Sequence, residues 1–131
     1  MNPTVLFLCP HHAAKSVLAE AYFNQLAQQR QLPFRAESAG TEPDEQVSPV
    51  VVNLLRADGI DVSGHRPKRV TTSQLSQAQS IISMGCTSDE LGIEPERVEM
   101  WTDVPPVSQE PLLAQAKIRA HVETLIDQLA G

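Results

Sequence analysis

The chain has few of the features that mark secreted, membrane-spanning or nucleic-acid-binding proteins. Its 131 residues include only two cysteines, Cys9 and Cys86, which is too few for the disulfide framework of a small secreted domain. No apolar run approaches the length of a membrane span, and the N-terminus does not have the pattern of a signal peptide. The net charge is −6 without any block of basic residues, which argues against nucleic acid or a membrane as a partner. We therefore expect a cytoplasmic protein.

The sequence is instead typical of a single α/β domain over residues 1–131. Its length and its hydrophobic fraction of 41% are sufficient for one core, and no linker or repeat interrupts it. Apolar runs alternate with helical patterns, which predicts a mainly parallel sheet. The predicted strands are about Thr4–Leu8, Phe34–Ser38, Ser80–Met84 and Arg97–Trp101. The predicted helices are about Ser16–Gln29, Ser48–Gly59, Thr71–Ala78 and Glu110–Leu129. In the last helix we expect Leu112, Ala116, Val122, Leu125, Ile126 and Leu129 to face the core.

Three segments that directly follow predicted strands carry reactive or polar side chains. They begin at Cys9, at Cys86 and at Trp101, the last continuing to Gln109. In open parallel sheets, ligands bind beyond the carboxyl ends of the strands. We therefore expect these segments to meet at one edge of the sheet and to form a site there.

The most informative segment is the loop of residues 9–16, with the sequence Cys-Pro-His-His-Ala-Ala-Lys-Ser. A strand that leads through such a loop into a helix places the Cys9 sulfur near loop N–H groups and the positive end of the helix. These surroundings stabilise the thiolate, which is the reactive form of cysteine. Successive loop amides can also form a concave anion-binding site. The candidate anion-binding residues are Pro10, His11, His12, Ala13, Ala14 and Lys15.

A thiolate beside a bound oxyanion can attack its central atom and form a covalent thiophosphate or thiol–arsenate adduct. Loop amides and Lys15 would stabilise the charge on the oxygens, and Ser16 could donate a hydrogen bond to the sulfur. A loop imidazole could tune Cys9 or contact the anion. The alternative interpretation is that Cys9 is a packed thiol and Lys15 an ordinary charge in the first turn of a helix.

Several segments resemble the low-molecular-weight protein tyrosine phosphatase superfamily. Three of them are residues 5–9 with Lys15 and Ser16, residues 83–86, and Trp101 with the Asp and Pro residues after it. Two others, residues 37–43 and 59–68, are similar to the arsenate reductase branch of the superfamily. The resemblance covers nearly the whole chain. It implies a three-layer fold with a four-stranded, mainly parallel sheet and helices on both faces. It also implies an enzyme without a metal or organic cofactor, in which Cys9 is the nucleophile.

The chain departs from the family pattern at Lys15, His12 and Pro105, and also at Ala13, where a serine is common. Lys15 stands where the family has arginine, so a flexible point charge replaces a planar fork that binds two oxygens at once. His12 takes the place of the asparagine that helps to shape the loop. Pro105 stands where the family has the aspartate that acts as general acid, and Asp103 is the candidate to replace it. The candidate catalytic residues are therefore Cys9, Lys15, Ser16 and Asp103.

Cys86 is a candidate redox residue, because it could resolve an adduct on Cys9 by forming a disulfide. The family's internally coupled reductases use two downstream cysteines, whereas this chain has one, so a packed thiol is the other interpretation of Cys86. A metal site formed by Cys9, His11 and His12 is disfavoured. Consecutive residues rarely direct both rings to one ion, and no fourth ligand has a recognisable spacing.

These observations predict cysteine-dependent oxyanion chemistry of the arsenate reductase type, with phosphate or arsenate as the bound anion. An external thiol, supplied by a thiol carrier, is the candidate reductant. Two alternatives stay open. One is a protein tyrosine or small-molecule phosphatase that acts on a phosphorylated substrate, and the other is a catalytically silent oxyanion-binding protein.

Overall fold

The computed structural model describes residues 3–131 and confirms the predicted α/β class. The strands are β1 (Thr4–Leu8), β2 (Arg35–Ala39), β3 (Ser80–Ser83) and β4 (Val98–Met100). The helices are α1 (Lys15–Gln29), α2 (Pro49–Ala57), α3 (Thr72–Gln77), α4 (Ser88–Leu91) and α5 (Pro111–Ala130), and a 3-10 turn covers Pro95–Arg97. All strand pairs are parallel, and the strand order is β2-β1-β3-β4.

Strand β1 lies at the centre of three layers. Successive side chains of a strand point to opposite faces of the sheet. Val5 and Phe7 accordingly pack with α1, α2 and α5, whereas Leu6 and Leu8 pack with α3 and α4 on the other face. Because β1 is buried on both faces, its sequence is a continuous apolar run without polar alternation. The helices on both faces are those that the family resemblance implies.

The strand order brings the loop after β1 to the centre of one sheet edge. From β1 the chain first adds β2 on one side and then crosses back to add β3 on the other. Backbone hydrogen bonds continue past the strand ends, from Met84 N to Leu8 O (2.7 Å) and from Trp101 N to Ser83 O (3.0 Å). Open sheets bind ligands at the point where strand order reverses, just beyond the carboxyl ends. Cys9 follows β1 at this point.

Helix α4 was not predicted from the sequence. The Thr87 hydroxyl accepts a hydrogen bond from Glu90 N, and the Glu90 side chain accepts one from Thr87 N. This reciprocal capping box satisfies N–H groups at the helix start. A four-residue helix is too short to show a helical apolar period, so its sequence resembled a loop.

In the first turns of helix α5, the residues that face the core are not the ones we expected. Its buried residues are Ala114, Ile118, Val122, Leu125 and Ile126. Leu112 is 71% exposed and Ala116 is also exposed, so the prediction that both face the core is wrong. Each lies two residues from Ala114, which is about 200° around a helix of 3.6 residues per turn. No helix in the described part of the chain, residues 3–131, is long and apolar enough to cross a membrane.

The contrast between Leu18 and Leu112 gives a stability test. Leu18 is fully buried in the core between α1 and the sheet, whereas Leu112 is 71% exposed. Leu18→Ala should lower the free energy of unfolding by about 2–5 kcal/mol, since it leaves a cavity. Leu112→Ala should change it by no more than about 0.5 kcal/mol. Urea unfolding of both variants measures the difference, and equal losses would contradict the packing described here.

Candidate active site

Among residues 3–131, the Cys9 sulfur has two hydrogen-bond partners, and both belong to Ser16. Cys9 Sγ donates to Ser16 Oγ at 3.0 Å and accepts from Ser16 N at 3.4 Å. Both residues are buried, with Cys9 only 5% exposed. When the thiol loses its proton, the Ser16 hydroxyl can rotate and donate to the sulfur instead. The structure therefore brings Ser16 to the position that the sequence predicts for it.

A second segment, residues 40–48, binds the carbonyl groups of the Cys9 loop, and we call it the strap. Its bonds run from Glu42 N to Pro10 O (2.7 Å), from Asp44 N to His11 O (2.9 Å) and from Ser48 N to Ala13 O (2.8 Å). By contrast, the backbone N–H groups of residues 11, 13, 14 and 15 donate no hydrogen bond to any of residues 3–131. A loop whose carbonyl groups accept hydrogen bonds from the strap and whose N–H groups still lack an acceptor is suited to bind an anion.

Gly40 allows the strap to approach the loop closely. A Cβ atom at this position would lie 2.5 Å from Pro10 O and 2.6 Å from Cys9 O. Gly40 is also fixed on its other side, where its N–H donates to Lys68 O (2.9 Å) and its carbonyl accepts from Val70 N (2.9 Å). Any larger residue would push the strap away from the loop carbonyls. The glycine is thus required by contact distance.

His12 shapes the loop from the interior and does not line the anion site. Its backbone has a φ of 50°, and its ring is fully buried. Nδ1 accepts a hydrogen bond from Lys68 N (2.7 Å), so Nε2 carries the proton and donates to Ser38 Oγ (2.7 Å). Ser38 in turn donates to Glu20 Oε1 (2.7 Å). Our expectation that the His12 side chain contacts the anion does not fit this arrangement.

Burial, together with a smaller contribution from the neighbouring His65, lowers the pKa of His12 to about 4. The two rings are 5.0 Å apart and nearly perpendicular, with 3.2 Å between their Nε2 atoms. A protonated His12 would therefore carry an unsolvated charge beside another imidazole. No sequence pattern predicts this network, because Glu20, Ser38 and His65 lie far apart along the chain.

Lys15 joins the Cys9 loop to the segment after β4. Its Nζ donates to Val104 O at 2.8 Å, and it is half-buried. An ammonium group has three protons, so two remain available for an anion. Residues 106–108 of that segment line the same cavity as Lys15.

Cys9 lines a cavity of about 340 Å³, which we call the Cys9 cavity. The other lining residues are 10, 11 and 13–15 of the loop, Asp44 and Ser48 of the strap, Met84 after β3, and residues 106–108. Most of them are apolar. The structure thus brings together Cys9, Lys15 and all of the predicted anion-binding residues except the ring of His12.

Asp103 lies outside the Cys9 cavity. Its carboxylate accepts a hydrogen bond from His121 Nε2 (2.7 Å) and lies 3.6 Å from Lys117 Nζ. His121 also stacks on Trp101, with 4.5 Å between ring centroids, and these residues line a separate cavity of about 330 Å³. The hydrogen bond from His121 holds the pKa of Asp103 below its usual range. The structure therefore does not bring this predicted general acid to Cys9, because helix α5 engages its side chain.

Cys86 is fully buried in the core cluster with Leu6 and Leu8, on the other face of the sheet from the cluster that contains Cys9. Its sulfur lies 3.8 Å from Thr41 Oγ1, and burial raises the pKa of its thiol. It does not line the Cys9 cavity. Within residues 3–131, no group of three or more His, Cys, Asp or Glu side chains is arranged to hold a metal ion.

Comparison with known proteins agrees with the fold and with the Cys9 loop. A family model described as low molecular weight phosphotyrosine protein phosphatase matches residues 4–101. The chain belongs to this family. The resemblance noted in the sequence is thereby confirmed, together with cysteine-based oxyanion chemistry as the activity that fits the family. The matched region of this family member ends at Trp101, before the segment that contains Asp103 and Pro105.

Individual relatives of this phosphatase-family chain include both of the predicted activities. A protein of Halobacterium salinarum described as "Putative arsenate reductase" is 30% identical over 106 residues, which is 79% of this chain and 75% of that protein. The thioredoxin-dependent arsenate reductase of Corynebacterium glutamicum is 26% identical, with a TM-score of 0.80 over 99% of this chain and 63% of that one. The low molecular weight protein tyrosine phosphatase of T. tengcongensis is 25% identical, with a TM-score of 0.77 over 98% and 97%. A YwlE mutant from Bacillus subtilis, 19% identical with a TM-score of 0.86 over 98% and 99%, shares the fold.

The low pKa of His12 predicts a specific dependence of stability on pH. Between its folded value of about 4 and the ordinary value of about 6.5, the unfolded chain binds more protons at this site than the folded chain. The free energy of unfolding should therefore fall as the pH falls through this range, by about 3 kcal/mol in total. In His12→Asn, which has no titrating group at this position, that contribution should be absent.

Urea unfolding at several pH values between 7 and 4 measures this contribution as the difference between wild type and His12→Asn. Leu112→Ala is the control, because it changes an exposed residue that has no titratable group. The control should retain the wild-type pH dependence. Parallel curves for wild type and His12→Asn would show that His12 does not titrate with a lowered pKa.

Proposed function

We propose that the protein is an arsenate reductase that uses Cys9 as nucleophile and an external thiol as reductant. The observation that carries this proposal is the position of the Cys9 sulfur, which is hydrogen-bonded to Ser16 beside a loop with four N–H groups that have no acceptor among residues 3–131. Family membership supports cysteine-dependent chemistry. The 30% identity to a halobacterial protein described as an arsenate reductase supports arsenate as the substrate.

In the proposed first step, arsenate binds to the free N–H groups and to Lys15. The Cys9 thiolate attacks arsenic, an S–As bond forms and an As–O bond breaks, and the departing hydroxide leaves as water after it takes a proton. The loop amides stabilise the negative charge on the remaining oxygens without having to reorient. Ser16 stabilises the thiolate before the attack, through its N–H and its hydroxyl.

In the proposed second step, an external thiol attacks the Cys9 sulfur. An S–S bond forms, the S–As bond breaks, and its electron pair passes to arsenic, which leaves as arsenite. A second equivalent of thiol then reduces the mixed disulfide and returns Cys9 to its starting form. An external thiol is favoured over Cys86, since Cys86 is fully buried and its raised pKa favours the unreactive thiol. We also propose a cytoplasmic location, where the compartment is reducing.

A phosphatase is the second candidate, and the size of the Cys9 cavity favours it. A water molecule needs a cavity of roughly 10–15 Å³, so an ion with four oxygens of similar size needs roughly 60 Å³. The cavity holds about 340 Å³, and most of its lining is apolar. The remaining space could hold the organic part of a phosphorylated substrate. In that case the leaving group in the first step is an alcohol or phenol. In the second step water attacks phosphorus, the S–P bond breaks with its electron pair returning to the Cys9 sulfur, and phosphate is released.

Parallel assays of both activities test the proposal. We expect arsenate reduction when thioredoxin or glutathione is supplied, no activity in Cys9→Ser, and less than about a threefold change in Cys86→Ser. Hydrolysis of p-nitrophenyl phosphate in the same preparations tests the second candidate. If Cys86→Ser loses arsenate reduction, Cys86 is the reductant. If neither substrate turns over but phosphate protects Cys9 from alkylation, the protein is an oxyanion-binding protein and both enzymatic candidates are wrong.

Lys15 variants test the anion site. Lys15→Ala should lower kcat/KM about ten- to a hundredfold, because it removes a charge-assisted hydrogen bond of about 1.5–3 kcal/mol. Lys15→Arg should also lower it, since the Val104 carbonyl holds a single ammonium nitrogen at 2.8 Å and a wider guanidinium does not fit that position. Lys117→Ala is the matched control, because Lys117 lies on the separate cavity. A clear gain in Lys15→Arg would instead show that the natural lysine impairs the site.

A further inference from the structure

The reaction proposed above needs a proton donor for the departing oxygen, and the segment after β4 does not supply one. Its carboxylate, Asp103, is paired with His121 on a separate cavity, and residues 106–108 carry no acidic group. The titratable side chains that line the Cys9 cavity are Cys9, His11, Lys15 and Asp44. Cys9 is the nucleophile and Lys15 carries the positive charge. The remaining pair is His11 and Asp44.

His11 and Asp44 contact each other through both backbone and side chain. Asp44 N donates to the His11 carbonyl (2.9 Å), and Asp44 Oδ1 lies 3.5 Å from His11 Nδ1. His11 Nδ1 also lies 3.0 Å from the carbonyl oxygen of Glu42. A carbonyl oxygen can only accept, so Nδ1 carries a proton in either charge state of the ring. The second nitrogen, Nε2, is therefore the one that gains and loses a proton.

The surroundings of this ring suit a proton donor. Two oxygens beside Nδ1, the Glu42 carbonyl at 3.0 Å and an Asp44 carboxylate oxygen at 3.5 Å, hold the ring in one orientation. No other hydrogen-bond partner occupies Nε2 within residues 3–131. The His11 and Asp44 side chains are 60% and 55% exposed, so the ring can regain a proton from water between turnovers. Lys15 is the other charged group that lines the same cavity.

We propose that His11 is the general acid of this enzyme and that Asp44 is its positioning residue. The inference rests on the proposed function. As the S–As or S–P bond forms at Cys9, the bond to the departing oxygen breaks, and the Nε2 proton of the imidazolium passes to that oxygen. Hydroxide thus leaves arsenate as water, and an alkoxide or phenoxide leaves a phosphate ester as the alcohol or phenol. In the phosphatase reaction, neutral His11 then takes a proton from the water that attacks the Cys9 adduct.

Leaving-group dependence tests this role. His11→Asn should lower kcat/KM by about 10²- to 10⁴-fold for arsenate and for phenyl phosphate, whose leaving group is a weak acid with a pKa of about 10, as in tyrosine. It should change kcat/KM for 2,4-dinitrophenyl phosphate by less than about threefold, because dinitrophenolate leaves without a proton. Asp44→Asn should give a smaller loss with the same preference. A merely structural role would lower all these rates equally.

Two further variants control the experiment. His121→Asn removes another imidazole that is paired with a carboxylate, but on the separate cavity, and it should leave every rate within about threefold. Asp103→Asn tests the competing candidate, and a loss confined to poor leaving groups in this variant would overturn the proposal. A Cys9-dependent rate that His11→Asn leaves unchanged, or lowers equally for all substrates, would overturn this inference alone. The absence of any Cys9-dependent turnover would overturn the proposed function with it.

Discussion

The anion site depends on which backbone groups of the Cys9 loop are already hydrogen-bonded within the protein. The strap takes up three loop carbonyls, while four loop N–H groups stay without an acceptor among residues 3–131. Peptide groups are planar, so fixing the carbonyls of Pro10 and Ala13 also fixes the N–H groups of His11 and Ala14, which are two of the four. Gly40 is required for this, because a Cβ atom would lie 2.5 Å from the Pro10 carbonyl oxygen. The anion site is therefore built mainly from backbone, and side chains around it can differ from the family pattern.

The sequence predicted well the parts that local patterns determine. The run Thr4–Leu8 identifies the central strand because it is buried on both faces, and the loop that follows it identifies Cys9, Lys15 and Ser16. Other features depend on partners that are remote in the chain. Asp103 is held by His121, and the ring of His12 by Ser38 and Lys68. No spacing encodes such pairings, so the expected positions of both side chains were wrong.

The departures from the family pattern are linked by geometry. Lysine at position 15 reaches a single carbonyl, that of Val104, and so ties the loop to the segment after β4. In that segment, the carboxylate of Asp103 faces α5 instead of the cavity. The proton donor we propose, His11, belongs to the anion loop itself. Nucleophile, cation and proton donor would then all lie within residues 9–15, with the strap as their common support.

The burial of Cys9 has a consequence for the reductant. Its sulfur belongs to a residue that is only 5% exposed, and it is reached through a cavity of about 340 Å³. A thiol that attacks the Cys9 sulfur has to enter this cavity, whose lining includes the loop that binds the oxyanion. The groups that hold the oxyanion in the first step therefore also meet the reductant in the second, and a substitution made there to alter oxyanion binding changes the thiol exchange as well.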